Sequence, residues 1–171
     1  MPEASSQQDR FSNELTSLRG QIEYLNLYEL RCERIDRGIK IALALASNGS
    51  IAAWAVWREF AMLWGAIIAG SQFLAAIKDH LPFEKRLKCV RELSSKLEGA
   101  FVQWEKSWNS VANGEFSNDE INSRLAELKL MKVELLTSCI AGVSLPENPR
   151  LLAQASAKAA MYFKIIYSIK E

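Results

Sequence analysis

The amino-acid sequence predicts an all-α protein: a two-transmembrane helical hairpin with a long N-terminal helix and a cytosolic C-terminal helical bundle. Three observations carry this reading. Residues 41–57 and 60–77 hold no charged side chain and are separated only by Arg58 and Glu59. Elsewhere, apolar residues recur at steps of three and four, the spacing of one helix face. No segment alternates with a period of two for the length of a strand. The chain divides accordingly into an N-terminal cytosolic arm (1–40), a hairpin (41–77) and a C-terminal cytosolic region (78–171).

Phe11, Leu15, Leu18, Ile22 and Leu25 form a narrow heptad-like stripe along the arm, suited to packing against another helix. Gly20 interrupts the stripe at a cost of about 1 kcal/mol relative to alanine. Ser5 followed by Gln8 has the spacing of a capping box. The first residues, MPEASSQQDRF, lack the apolar segment of a cleavable signal peptide. No breaker lies between the arm and residue 41, so one long helix is expected to run from the arm into the first apolar stretch.

Crossing the hydrocarbon core takes about 20 apolar residues, within a range of about 17–25. Both stretches reach the lower end of that range. Overall composition is ordinary, at 49% hydrophobic and 24% charged, but the classes are segregated along the chain. Positions 31–40 hold Arg31, Glu33, Arg34, Asp36, Arg37 and Lys40, whereas 41–77 hold two charges. Positive residues flank the hairpin on its open side: Arg31, Arg34, Arg37 and Lys40 before it, and Lys78, Lys85, Arg86, Lys88 and Arg91 after it. The turn carries one. The positive-inside rule then places both termini in the cytoplasm. Trp54, Trp57, Phe60 and Trp64 gather at the turn as an interfacial aromatic belt would. Arg34, Arg37, Lys40, Trp54, Trp57, Trp64, Lys85, Arg86 and Lys88 are accordingly the expected interface anchors.

A rival turn exists at Ser47-Asn48-Gly49-Ser50, strong by composition. It would produce two long helices of a soluble bundle, with Arg58 and Glu59 in mid-helix.

Small residues at four-residue steps, Ala42 and Ala46, then Ala61, Gly65 and Ala69, would allow close helix approach in lipid. Ser47, Asn48, Ser50, Ser71 and Gln72 are the other polar side chains of the stretches. With the turn at 58–59 they fall at one depth, where they would line a pore in an oligomer or bond across the hairpin.

Beyond the hairpin, Pro82 suits the first turn of a new helix. That helix carries Phe83, Leu87, Val90, Leu93, Leu97, Phe101, Trp104, Trp108 and Val111 at helical spacing, and Asn113-Gly114 stops it. Ser117-Asn118-Asp119-Glu120 is a capping box. It opens a helix with Ile121, Leu125, Leu128 and Leu135 or Leu136, ending near Gly142. After the loop 143–147, Asn148-Pro149 opens a last helix expected to reach residue 169.

Catalytic signatures are absent. There is no GxGxxG or GxxxxGK[ST] loop and no HExxH. Cys32, Cys89 and Cys139 form no CxxC, and His80 cannot complete a metal set with them; buried free thiols are expected. Glu92, Glu98 and Glu105, interspersed with Lys96 and Lys106, have the look of surface ion pairs. The net charge of +1 offers no whole-chain basic footprint for nucleic acid. No enzyme activity, cofactor or metal is expected.

This layout, and within it the block ALASNGSIAAWAVWREFAMLWGAIIAGSQFLAAIKDHLPFEKRLK, resembles the SLATT-type and related two-transmembrane effectors of bacterial conflict systems, including retron effectors. The resemblance covers about residues 15–110 and implies a small inner-membrane protein. Such a protein oligomerises and permeabilises or depolarises the membrane in an antiphage, abortive-infection response. It further implies the lipid bilayer and copies of the same chain as partners. A sensor component is implied too: a reverse transcriptase with its RNA/DNA product, or a nucleotide-signalling protein. The alternative is a soluble or membrane-anchored helical scaffold without pore activity.

Overall fold

The computed structural model describes residues 2–56, 62, 65–66, 69–70, 72–73, 76, 83–140 and 146–167. Among the described residues the bounded helices are α1 (Pro2–Val56), α2 (Phe83–Ala112), α3 (Asn118–Ile140) and α4 (Pro149–Tyr167). Among the described residues there is no strand. The chain is all-α.

Two compact units emerge. The first combines Met1–Glu29 with Arg86–Glu171, and the second is Leu30–Lys85. The N- and C-terminal segments, which the sequence alone leaves as separate regions, therefore share one core.

That core has a simple origin. The arm stripe is buried at every position: Phe11, Leu15, Leu18 and Ile22 are fully covered and Leu25 nearly so. Val90, Leu93, Leu97, Phe101, Trp104 and Val111 of α2 are buried as well, with Ile121, Leu125 and Leu128 of α3. Each large apolar side chain taken out of water contributes about 1.5–3 kcal/mol, which outweighs the weak helix preference at Gly20. α4 contributes Ala155 and Ala159, both fully covered.

Polar contacts fix the directions. Gln8 Nε2 donates to the Val111 carbonyl (3.1 Å), while Arg91 pairs with Glu29 at the other end of the seam (2.5 Å). α1 and α2 are therefore antiparallel. Tyr24 contacts the segment before α4, whereas the Arg19 guanidinium lies over the Tyr162 ring near the end of α4 (4.5 Å to the centroid). α1 and α4 are antiparallel too. Trp104 Nε1 donates to Met131 Sδ (3.5 Å) across the α2–α3 pair, and Lys132 meets Glu14 at 3.0 Å between α3 and α1.

The helix boundaries follow their local chemistry. α2 ends at Ala112, and Gly114 takes φ 73°, the left-handed conformation that glycine adopts without a Cβ penalty. The box at 117–120 is closed in both directions. Glu120 Oε2 accepts from Ser117 N–H (2.8 Å), and Ser117 Oγ accepts from Glu120 N–H (3.4 Å). The Ser117 N–H and the Ser117 hydroxyl, which also donates to Glu120 Oε2 (2.8 Å), hold the Glu120 carboxyl below its ordinary pKa, with Arg124 adding a smaller attraction. Asn148 Oδ1 accepts from Arg150 and Leu151 N–H, capping α4.

Three expectations are corrected. α1 is helical through Ser47, Asn48, Gly49 and Ser50 to Val56, so the rival turn at 47–50 is not formed. Two serines, an asparagine and a single glycine weaken a helix without breaking it. Ser5 lies inside α1, three residues beyond its start; Gln8 satisfies a carbonyl in the last turn of α2. Among the described residues Glu105 forms hydrogen bonds and no ion pair: it accepts from Tyr162 Oη (2.8 Å) and Tyr167 Oη (3.5 Å). Glu92 does pair with Lys96 (2.7 Å), and Glu98 accepts from Asn26 (3.3 Å). All three cysteines are free, Cys139 buried and Cys32 and Cys89 half-buried.

Candidate functional site

The second unit contains the region where the sequence concentrates its chemistry. On α1, Arg31, Arg34, Arg37 and Lys40 are exposed. Lys40 pairs with Asp36 one turn earlier, at 2.6 Å. Both partners stay in water, so the pair is worth well under about 1 kcal/mol. Immediately after this charged band, Ile41 is 54% exposed and Ala42 and Ala44 are exposed as well.

Farther along the unit, Met62, Gly65, Ala66, Ala69, Gly70, Gln72, Phe73 and Ala76 are each helical and each exposed. All of these residues are apolar apart from Gln72. Met62 is 93% and Phe73 67% exposed, values far from those of a packed helix face. A Cβ placed on Gly65 or Gly70 would meet nothing within 4 Å. Exposed apolar residues of this kind can do two things chemically. They can contact an apolar medium, or the small ones can seat another helix closely.

The expected site residues divide as follows. Arg34, Arg37, Lys40, Ala42, Gly65, Ala69, Gln72 and Lys88 are exposed, and Arg86 is half-buried. Ala46, Ser47, Asn48, Ser50 and Trp54 belong to α1, and Lys85 to α2, but their side chains lie outside the described residues. Trp57, Ala61, Trp64 and Ser71 lie outside them entirely, as do the turn at 58–59, Asp79 and His80. Ala42, Gly65 and Ala69, expected to allow close helix approach in lipid, are free of cover in the single chain. Met62, Ala66, Gly70, Phe73 and Ala76 are exposed as well, and no motif in the sequence marks them.

Among the described residues no helix is long and apolar enough to cross a membrane, and no cluster of histidine, cysteine or acidic residues could hold a metal ion. No protein family matches the chain, and no curated protein or solved structure is significantly similar to it.

The first unit holds a second concentration of chemistry that sequence reasoning missed. Arg19 pairs with Glu23 (2.8 Å) and lies over both Tyr162 and Phe101. Tyr162 stands edge-on to Phe101 and Phe163, and Phe163 stacks on Tyr167. Burial pushes the Tyr162 hydroxyl pKa up, with the Glu105 carboxylate adding to it. For Tyr167, burial and then Glu105 push it up to about 12. Both phenols therefore stay neutral donors to Glu105. No local motif marks this joint, because its members come from three helices.

Proposed function

We propose that the chain is a small bacterial membrane effector whose hairpin, residues 41–77, inserts in the inner membrane with both termini cytoplasmic. Copies then assemble and make the membrane leak. The observation that carries this reading is the exposure of the described apolar residues between Met62 and Ala76. Leaving a side chain such as Phe73 or Met62 in water forgoes about 1.5–3 kcal/mol each. A lipid surface or a second copy recovers it. The band of Arg31, Arg34, Arg37 and Lys40, directly before the apolar run, suits anionic headgroups at about 1 kcal/mol per charge. Continuity of α1 through 47–50 favours a hairpin turn near 58–59 over the rival one. The antiphage role rests on the layout resemblance to two-transmembrane conflict effectors.

Expression in bacteria with a membrane-potential dye tests the proposal. Depolarisation on accumulation is expected, weakened when Asn48 and Gln72 are replaced by leucine. An unchanged potential with the protein in the membrane fraction overturns the leak.

A second reading is a helical scaffold without pore activity. It is favoured by the finding that no described helix is long and apolar enough to span. Recovery of the chain in a detergent-free supernatant would establish its soluble form.

A further inference from the structure

In the first unit, α3 has two apolar faces. One packs on the bundle through Ile121, Leu125, Leu128 and Cys139, all buried. The other is Ala126, Leu130, Val133 and Thr137, spaced by four, three and four residues and all exposed. At 3.6 residues per turn these four fall within about 60° of the helix circumference, on the side away from Leu128. Leu130 is 71% and Val133 58% exposed. Thr137 Oγ1 donates to the Val133 and Glu134 carbonyls of its own helix (2.9 and 3.1 Å), so it needs no polar partner across the face. This spacing is the a and d pattern of a coiled coil, a seam wide enough for one further helix.

The flanks of the seam decide what fits it. Lys129 borders it on one side, and Glu127 and Glu134 border it on the other, all three exposed. Glu127 is held by Arg124 of its own helix (3.3 Å), while Lys129 and Glu134 form no ion pair among the described residues. A helix that is basic on one side of a narrow seam and acidic on the other is complementary to itself under a twofold axis. In a parallel pair, the g position of one helix faces the following e position of the other. Lys129 of each copy then meets Glu134 of the second copy, at two symmetric places. An antiparallel pair would set the two glutamate flanks against each other, which like charges oppose.

We infer that α3 pairs in parallel with α3 of a second copy of this chain, with Leu130 and Val133 along the twofold axis and Lys129 against Glu134 across it. α3 is already folded on its own bundle, so pairing carries no cost of nucleating a helix. The seam is short, which makes the pairing reversible and dependent on the concentration of the chain. The inference stands apart from membrane insertion, because every residue involved belongs to the first unit.

The test is sedimentation equilibrium of the full chain over a range of concentrations. A density-matched non-ionic detergent makes it valid whether or not the hairpin inserts. Concentration-dependent dimers are expected, weaker at high salt. Lys129→Glu and Glu134→Lys should each weaken dimerisation about tenfold, because attraction becomes repulsion at both symmetric places. An equimolar mixture of the two variants should regain the original affinity, since the lysines of one chain then face the glutamates of the other. Leu130→Asn, a change at an exposed position, should abolish dimers with the helical circular dichroism unchanged. The proposal is overturned by a chain that stays monomeric to millimolar concentration, or by a mixture that associates no more tightly than either charge variant alone. Oligomers that both charge variants leave unaffected overturn it too. Association through the hairpin would give that last result, so the failure of α3 pairing is distinguished from the failure of the membrane reading.

Discussion

Gly20 of α1 lies against Ala159 of α4, where a Cβ added to the glycine would sit 4.0 Å from the alanine Cβ. That distance is ordinary van der Waals contact, so the site has room for a methyl group. Gly20→Ala removes the entropic cost of a mid-helix glycine, about 1 kcal/mol, without a clash. It should raise the thermal midpoint by a few degrees. Gly20→Leu should lower it, since the larger side chain must displace Ala159. A destabilised alanine variant would show that α1 and α4 pack more closely than the structure has them.

Ser94 is the buried polar residue of the α1–α2 seam, 5% exposed. Its Oγ donates to Asn26 Oδ1 at 2.6 Å, and Asn26 Nδ2 donates to Glu98 at 3.3 Å. Ser94→Ala strands the Asn26 acceptor and should cost about 1–3 kcal/mol in denaturant unfolding. The pair Ser94→Ala with Asn26→Leu should recover part of that loss, because no group is then left unpaired. Equal losses in the single and double variants would show that the hydrogen bond contributes nothing.

The capping box at Ser117 and Glu120 is solvent-exposed, so its loss acts on α3 without disturbing the core. Ser117→Ala should destabilise by about 1 kcal/mol. Glycine at the same position should cost only a few tenths.

Stability at high pH should follow the two phenols beside Glu105. Their pKa values are raised in the folded state, Tyr167 to about 12, against about 10 for a tyrosine in water. Between those values the unfolded chain releases protons that the folded chain retains, so unfolding becomes easier as pH rises. The contribution is intact below about pH 10 and lost as pH climbs through 12. Tyr167→Phe should flatten the fall of the thermal midpoint across that window. An unchanged slope would mean that Tyr167 is not shielded from solvent.

Much of the architecture was legible in the residue spacing. The stripe from Phe11 to Leu25 and the run from Val90 to Val111 announced buried faces, because a helix places every third or fourth residue on one side. The stop at Gly114 and the cap at Ser117 were legible for a similar reason: they depend on neighbours within four residues. Whether a turn forms at 47–50 was not legible. It depends on whether a glycine and three small polar residues break a helix that its apolar flanks favour, and α1 runs through them unbroken.

The candidate surface was legible in part. Gly65, Ala69 and Gln72 stood out by residue type, but the exposure of Met62 and Phe73 emerged only from the structure.

By itself, then, the sequence determined that this protein is helical, where several helices stop and which faces seek cover. Those properties are set by local hydrogen bonding and by periodicity. Only the tertiary structure decided that the two ends of the chain share a core and that Arg19 lies over Tyr162. Both depend on residues more than 60 positions apart meeting in space, and a one-dimensional pattern does not encode which partner a face will find.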